Sequence, residues 1–182
     1  MKQETKRRVA ACTAGFALPR YEELPQVGLY LDQTVQYVNG FFTAFPGVEL
    51  TSSMVSNYVK KGVLDHPIKK RYTREQIAAL IYIVVAKTVL SLENIDTLLK
   101  MQREHCAAST AYNSFCTELE ISLYYVFGLQ PDLSPLPEQV TDERFLMRST
   151  IFAAANKMYL DCCFQALSQE KSLWPAILPD LQ

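Results

Sequence analysis

LTSSMVSNYVKKGVLDHPIKKRYTREQIAALIYIVVAKTVLSLENIDTLL, Leu50 to Leu99, is the stretch on which the fold turns. Thr51 suits the N-cap of a short helix reaching Lys61, and Gly62 suits its left-handed stop. Val63 to Tyr72 carries a central proline, Pro67, between β-formers, which predicts a small hairpin or wing. Thr73-Arg74-Glu75-Gln76 is a capping box, with Thr73 at the N-cap and Gln76 at the third helical position. The helix it opens should bury Ile77, Leu80, Ile81, Val84, Val85 and Thr88. Ser91 caps a further helix with Leu92, Ile95, Leu98 and Leu99 inward. The break near Leu90 is short, so these two helices are expected to pack against each other.

The short helix at 52–61 is the informative one. Val55, Tyr58 and Val59 fall on one side, and Ser53, Ser56, Asn57 and Lys60 on the other. An asparagine pairs bidentately with an adenine edge, serines reach bases or phosphates, and a lysine reaches phosphate or guanine. Such a face alone would read as ordinary solvated surface. Its neighbours change that reading. Across residues 51–76 there are six cations (Lys60, Lys61, Lys69, Lys70, Arg71, Arg74) against Asp65 and Glu75. That excess suits a chain of phosphates.

Outward from this stretch, residues 1–8 read as a charged tail and Leu18 to Pro25 as an extended or turn segment bracketed by prolines. Leu31, Val35, Val38, Phe42 and Phe45 predict a helix over Tyr30–Phe45, ended by Pro46-Gly47. After Cys106 a helix is expected over Ser109–Phe127, with Tyr112, Phe115, Cys116, Leu119, Leu123 and Val126 at helical spacing. Residues 128–140 hold three prolines and read as a connection. A long helix follows from Asp142 to Ser168, with Phe145, Phe152, Ala155, Tyr159, Cys162, Cys163 and Ala166 along one side. Trp174-Pro175 opens a short terminal segment. The fold class is all-α, in three parts: 1–27 tail and extended segment, 28–103 helical domain with a wing, and 104–182 C-terminal helical region.

The 182 residues carry a formal net charge of −1, unevenly spread. Residues 1–103 hold 14 Lys and Arg against 9 Asp and Glu, and residues 104–182 hold 4 against 10. A basic front and an acidic back suggest surfaces with different partners. The five cysteines have no CxxC spacing, and the adjacent Cys162 and Cys163 point about 100° apart on a helix. They read as reduced thiols, and no cofactor or metal is expected. The apolar runs are short of a membrane span, and Val9 to Leu18 is too weakly hydrophobic for a signal peptide, so a cytoplasmic protein without membrane contact is expected. His66 and His105 are the only histidines. His66 precedes Pro67 in the expected wing, His105 beside Cys106 has no obvious orienting carboxylate although Glu104 is adjacent, and no phosphate-cradling glycine loop or HExxH is present, so the chain is not expected to be an enzyme.

The run Met54 to Leu64 resembles the second helix of MerR regulators, where a serine- and aromatic-bearing helix ends in a Gly-Leu-Leu-like turn. Arg71-Tyr72-Thr73 is similar to their approach to the third helix, and Glu75-Gln76-Ile77 through Ile83 to that helix itself. Leu90-Ser91-Leu92-Glu93-Asn94-Ile95 resembles the start of their fourth. The longer stretch Leu18 to Leu99 resembles an uncharacterised bacterial domain-of-unknown-function family, through its Leu-Pro-Arg-Tyr-Glu-Glu-Leu-Pro, Tyr-Val-Lys-Lys-Gly and Lys-Lys-Arg-Tyr-Thr-Arg-Glu blocks. The connection between the first two helices is longer than in MerR proteins, the wing is short, and no long coiled coil follows Leu99.

The MerR resemblance implies a winged helix-turn-helix over 28–103 that binds double-stranded DNA to regulate transcription. Ser53, Ser56, Asn57 and Lys60 would face the major groove, and Lys61, Lys69, Lys70, Arg71 and Arg74 would hold phosphates. The C-terminal helices would form a homodimer or bind an effector, or their aromatic side would be plain core. The rival reading is a non-enzymatic module for protein interaction or small-molecule sensing that has lost DNA.

Overall fold

A computed structural model describes residues 2–133 and 140–173. Its helices are α1 (Gln3–Ala11), α2 (Leu31–Gly40), α3 (Ser52–Lys60), α4 (Arg74–Ala86), α5 (Leu92–His105), α6 (Ala108–Val126) and α7 (Asp142–Leu173). The sheet is a single antiparallel pair, β1 (Leu29–Tyr30) with β2 (Arg71–Tyr72), in the register Leu29 to Tyr72 and Tyr30 to Arg71. The all-α expectation holds, with this two-stranded sheet as its β content among the described residues. The terminal segment expected from Trp174 lies outside the described residues, as does part of the proline-rich connection.

α4 organises the core. Ile77, Ala78, Leu80, Ile81, Tyr82, Ile83, Val84, Val85 and Ala86 are all buried. A helix apolar on every side belongs in the middle of a protein. The sequence pattern led to one buried side, but α2, α6 and α7 surround α4. One continuous cluster runs from Val9 through Phe42, Val55, Ile81 and Phe115 to Ala166, so side chains on both sides of residue 103 share a core.

Three expectations need correction. Residues 3–11 form a helix instead of a free tail. Thr5 and Val9 bury themselves, α1 packs on α7, and Arg8 donates to Gln169. α2 stops at Gly40, not Phe45. Phe42 N–H bonds the Asn39 carbonyl and Phe45 N–H the Phe42 carbonyl, three residues back in each case. These tight turns keep Phe42 and Phe45 buried without continuing the helix, which is why the spacing misled. Finally, α5 makes its main contact with α7 rather than folding back on α4.

Of the side predicted for α7, Ala155, Cys162, Cys163 and Ala166 are buried as expected, Phe152 and Tyr159 are half-buried, and Phe145 is not buried. Met147, Ile151, Ala154, Ala155, Met158, Cys162, Cys163 and Ala166 are buried, whereas Phe145 is 53% exposed.

The segment 16–24 straps the front of the chain to α6. Arg20 forms a bidentate pair with Glu120, at 2.9 and 2.7 Å, and Leu18 N–H donates to the same carboxylate at 2.9 Å. Tyr21 N–H donates to Asn113 Oδ1 at 2.8 Å, and the Tyr124 hydroxyl donates to the Phe16 carbonyl at 2.7 Å.

Candidate nucleic-acid interface

α3 begins as its sequence requires. Thr51 Oγ1 accepts from Met54 N–H at 3.2 Å. Gly62, at φ 74°, ends the helix in the conformation that glycine adopts without steric cost. Val55 and Tyr58 face the core, and Ser53, Ser56, Asn57 and Lys60 are all exposed. Ser56 Oγ donates back to the Ser52 carbonyl at 2.9 Å, and Ser53 Oγ lies 3.0 Å from Thr51 Oγ1. Among the described residues, the Asn57 and Lys60 side chains have no hydrogen-bond partner.

Two anchors fix α3 on α2. The Asn39 amide donates to the Leu50 carbonyl at 2.9 Å and accepts from Leu50 N–H at 2.7 Å. Ser52 Oγ donates to Asp32 Oδ1 at 3.1 Å. Beneath α3, Lys87 Nζ approaches Met54 Sδ at 3.7 Å, and burial lowers the pKa of that ammonium.

The predicted hairpin is present. Ile68 and Arg71 exchange backbone hydrogen bonds at 3.0 and 2.9 Å around Lys69-Lys70. Both lysines have positive φ, 49° and 65°. A two-residue turn of this kind normally selects Asn-Gly. Here two lysines bear the strain, and both side chains are exposed. Arg71 then enters β2, beside β1, which runs straight into α2. A Cβ on Gly28 would sit 3.0 Å from the Arg71 Cβ and 3.1 Å from the Tyr72 carbonyl oxygen, so glycine permits this approach. The Arg71 guanidinium stacks 4.7 Å from the Tyr30 ring centroid and donates to the Tyr30 hydroxyl at 3.2 Å. Gln76, buried at the start of α4, donates to the Asp65 carbonyl at 2.7 Å and holds the hairpin's base.

α2 is therefore the common support: α3 packs on one part of it, and β2 packs on it and on the strand leading into it. Ser53, Ser56, Asn57, Lys60, Lys61, Lys69, Lys70 and Arg71 stand exposed on this unit. Arg74 does not join them. It is partly buried, its Nε donates to the Leu24 carbonyl at 3.1 Å, and its guanidinium lies 5.6 Å from the Tyr21 ring. It serves the strap. The side chain of His105, the other histidine singled out by sequence, turns back on its own helix, with Nδ1 2.7 Å from the Met101 carbonyl.

Sequence reasoning missed a cleft of about 630 Å³ behind the hairpin. Leu64, Asp65 and His66 form one wall, α4 its floor, and the facing ends of α5 and α6 the other wall. The local pattern gave no signal for it, because it exists where α4 and α5 fail to close on each other.

The chain belongs to the DUF1836 family, described as a domain of unknown function, whose model matches residues 19–115. No curated protein and no solved structure matches the chain. No helix among the described residues is long and apolar enough to cross a membrane.

Proposed function

We propose that this protein is a DNA-binding transcriptional regulator of MerR-like winged helix-turn-helix type, not an enzyme. α3 enters the major groove of double-stranded DNA through Ser53, Ser56, Asn57 and Lys60. Lys61, Lys69, Lys70 and Arg71 neutralise phosphates. The observation that carries this reading is the Lys69-Lys70 turn. A hairpin that accepts two left-handed lysines where Asn-Gly would be relaxed puts two exposed cations at its tip, on the same support as a polar, exposed helix face.

The C-terminal helices complete the reading as a homodimer. Leu146, Ala153 and Leu160 recur at intervals of seven along α7, and Leu146, Leu160 and Phe164 are 45%, 48% and 67% exposed. A second copy of α7 would cover this row, as two-fold binding of paired half-sites requires.

The test is affinity for random-sequence duplex DNA as a function of salt. The triple variant Lys69→Ala, Lys70→Ala, Arg71→Ala should bind more weakly and lose about 2.7 from the log–log salt slope, at about 0.9 per phosphate contact. Unchanged affinity and slope would overturn the reading.

A further inference from the structure

The cleft behind the hairpin carries charge of both signs over an aromatic floor. On the hairpin and α4 side stand Asp65 and Glu75, and on the α5 side stands Arg103. All three are exposed at the mouth, and none forms an ion pair among the described residues. The N-terminus of α6 adds to the cationic wall. Its N-cap, Ala107, has no side chain to cap with, and the first helical bond runs from Ala111 N–H to the Ala107 carbonyl at 3.0 Å. The N–H groups of Ala108, Ser109 and Thr110 are left without a partner among the described residues, where a helix favours an anion. Ala107 and Ala108 both line the cleft.

The floor of the cleft is aromatic. Tyr82 and Phe115 meet edge to face, 5.3 Å between centroids, and both line the cleft. Tyr82 is 5% exposed, and its hydroxyl has no hydrogen-bond partner among the described residues. Tyr82 also lines a smaller adjoining cleft of about 300 Å³ between α5, α6 and α7, so it stands in the wall shared by two open spaces. The larger volume lies in the range of small-molecule sites.

We infer that this cleft binds a small zwitterion, an α-amino acid with an aromatic or large aliphatic side chain. The carboxylate meets Arg103 and the start of α6. The ammonium meets Asp65 and Glu75. The side chain descends onto Phe115 and Tyr82. Neutral apolar molecules leave the charges of both walls unmet, and a simple anion leaves the two carboxylates facing it. The site does not depend on DNA recognition by α3, although it shares the hairpin's base, so occupancy bears directly on the segment that presents Lys69 and Lys70.

The test is calorimetric titration of the full chain, without DNA, with three probes: L-phenylalanine, 3-phenylpropionate, which lacks the ammonium, and phenethylamine, which lacks the carboxylate. L-phenylalanine should bind with a dissociation constant of about a millimolar or tighter, and each truncated probe roughly tenfold more weakly. Arg103→Ala should weaken L-phenylalanine roughly tenfold and leave phenethylamine unchanged. Ala79→Trp, which fills the cleft from a half-exposed position on α4, should abolish binding while the variant still melts cooperatively. Failure of L-phenylalanine to bind, equal binding of a truncated probe, or full binding by folded Ala79→Trp would each overturn the assignment.

Discussion

The side-chain amide of Asn39 closes on both backbone groups of Leu50, donating to one and accepting from the other. This bracket spans the turns after α2 and sets where α3 begins. Asn39→Ala removes both bonds and leaves a partly buried N–H and carbonyl to find water. We expect a loss of about 1–3 kcal/mol in urea unfolding. Under the proposed function, duplex DNA affinity should fall with it under native conditions, because the exposed face of α3 loses its fixed position.

At the hairpin tip, stability and binding should move in opposite directions. Replacing Lys69-Lys70 with Asn-Gly gives the turn the residues its backbone prefers, and we expect the protein to gain about 1–2 kcal/mol. The same change should reduce the salt slope for DNA by about 1.8. A variant that is more stable and binds DNA as before would separate the turn from the phosphates.

Tyr82→Phe should stabilise the empty protein. Its hydroxyl is buried and unpaired among the described residues, so removing it costs no bond and relieves a penalty of about 1 kcal/mol. Thermal unfolding without ligand checks this.

Stability should decline on the alkaline side. Burial pushes the Cys116 thiol up to about 11 and the Cys162 thiol up to about 12. In the unfolded chain both ionise near the ordinary thiol value of about 9.0, so between that pH and the raised values the unfolded state holds fewer protons. Stability is then full below about pH 9 and falls as pH rises through 9 to 11. Denaturant midpoints measured across this window should drop, and the double variant Cys116→Ala, Cys162→Ala, less stable at neutral pH, should show a shallower decline. At neutral pH a thiol reagent should modify exposed Cys106 quickly and these two only as the protein unfolds.

Local grammar was legible in the sequence. Thr51, Thr73 and Ser91 cap helices where they were expected to, Gly62 stops α3, and the hairpin forms around Lys69-Lys70. These signals act within a few residues and need no distant partner. What depends on distant partners was hidden. Arg74 sits within the basic run, yet the carbonyl of Leu24 and the ring of Tyr21 draw it away. Phe145 keeps helical spacing but lies outside the arc that α6 covers. The strap could be seen only as a proline-bracketed segment, because Glu120 and Asn113, which hold it, lie about a hundred residues away. The exposed side of α3 was predicted because inward Val55 and Tyr58 leave Ser53, Ser56, Asn57 and Lys60 no other direction. The cleft was not, since a void leaves no mark on periodicity.

The family match ends at Phe115, within α6, and that position has a consequence for how the molecule can be divided. Phe115 and Cys116 are both core residues, so a fragment cut there would end inside a half-built wall. Glu120, Leu119 and Leu123 would go with the discarded piece, releasing the strap and opening one flank of α4 to water. The sequence signature and the continuous core thus have different borders. A fragment trimmed to the signature should behave as an open, sticky intermediate, and the smallest autonomous folding unit must extend into α7.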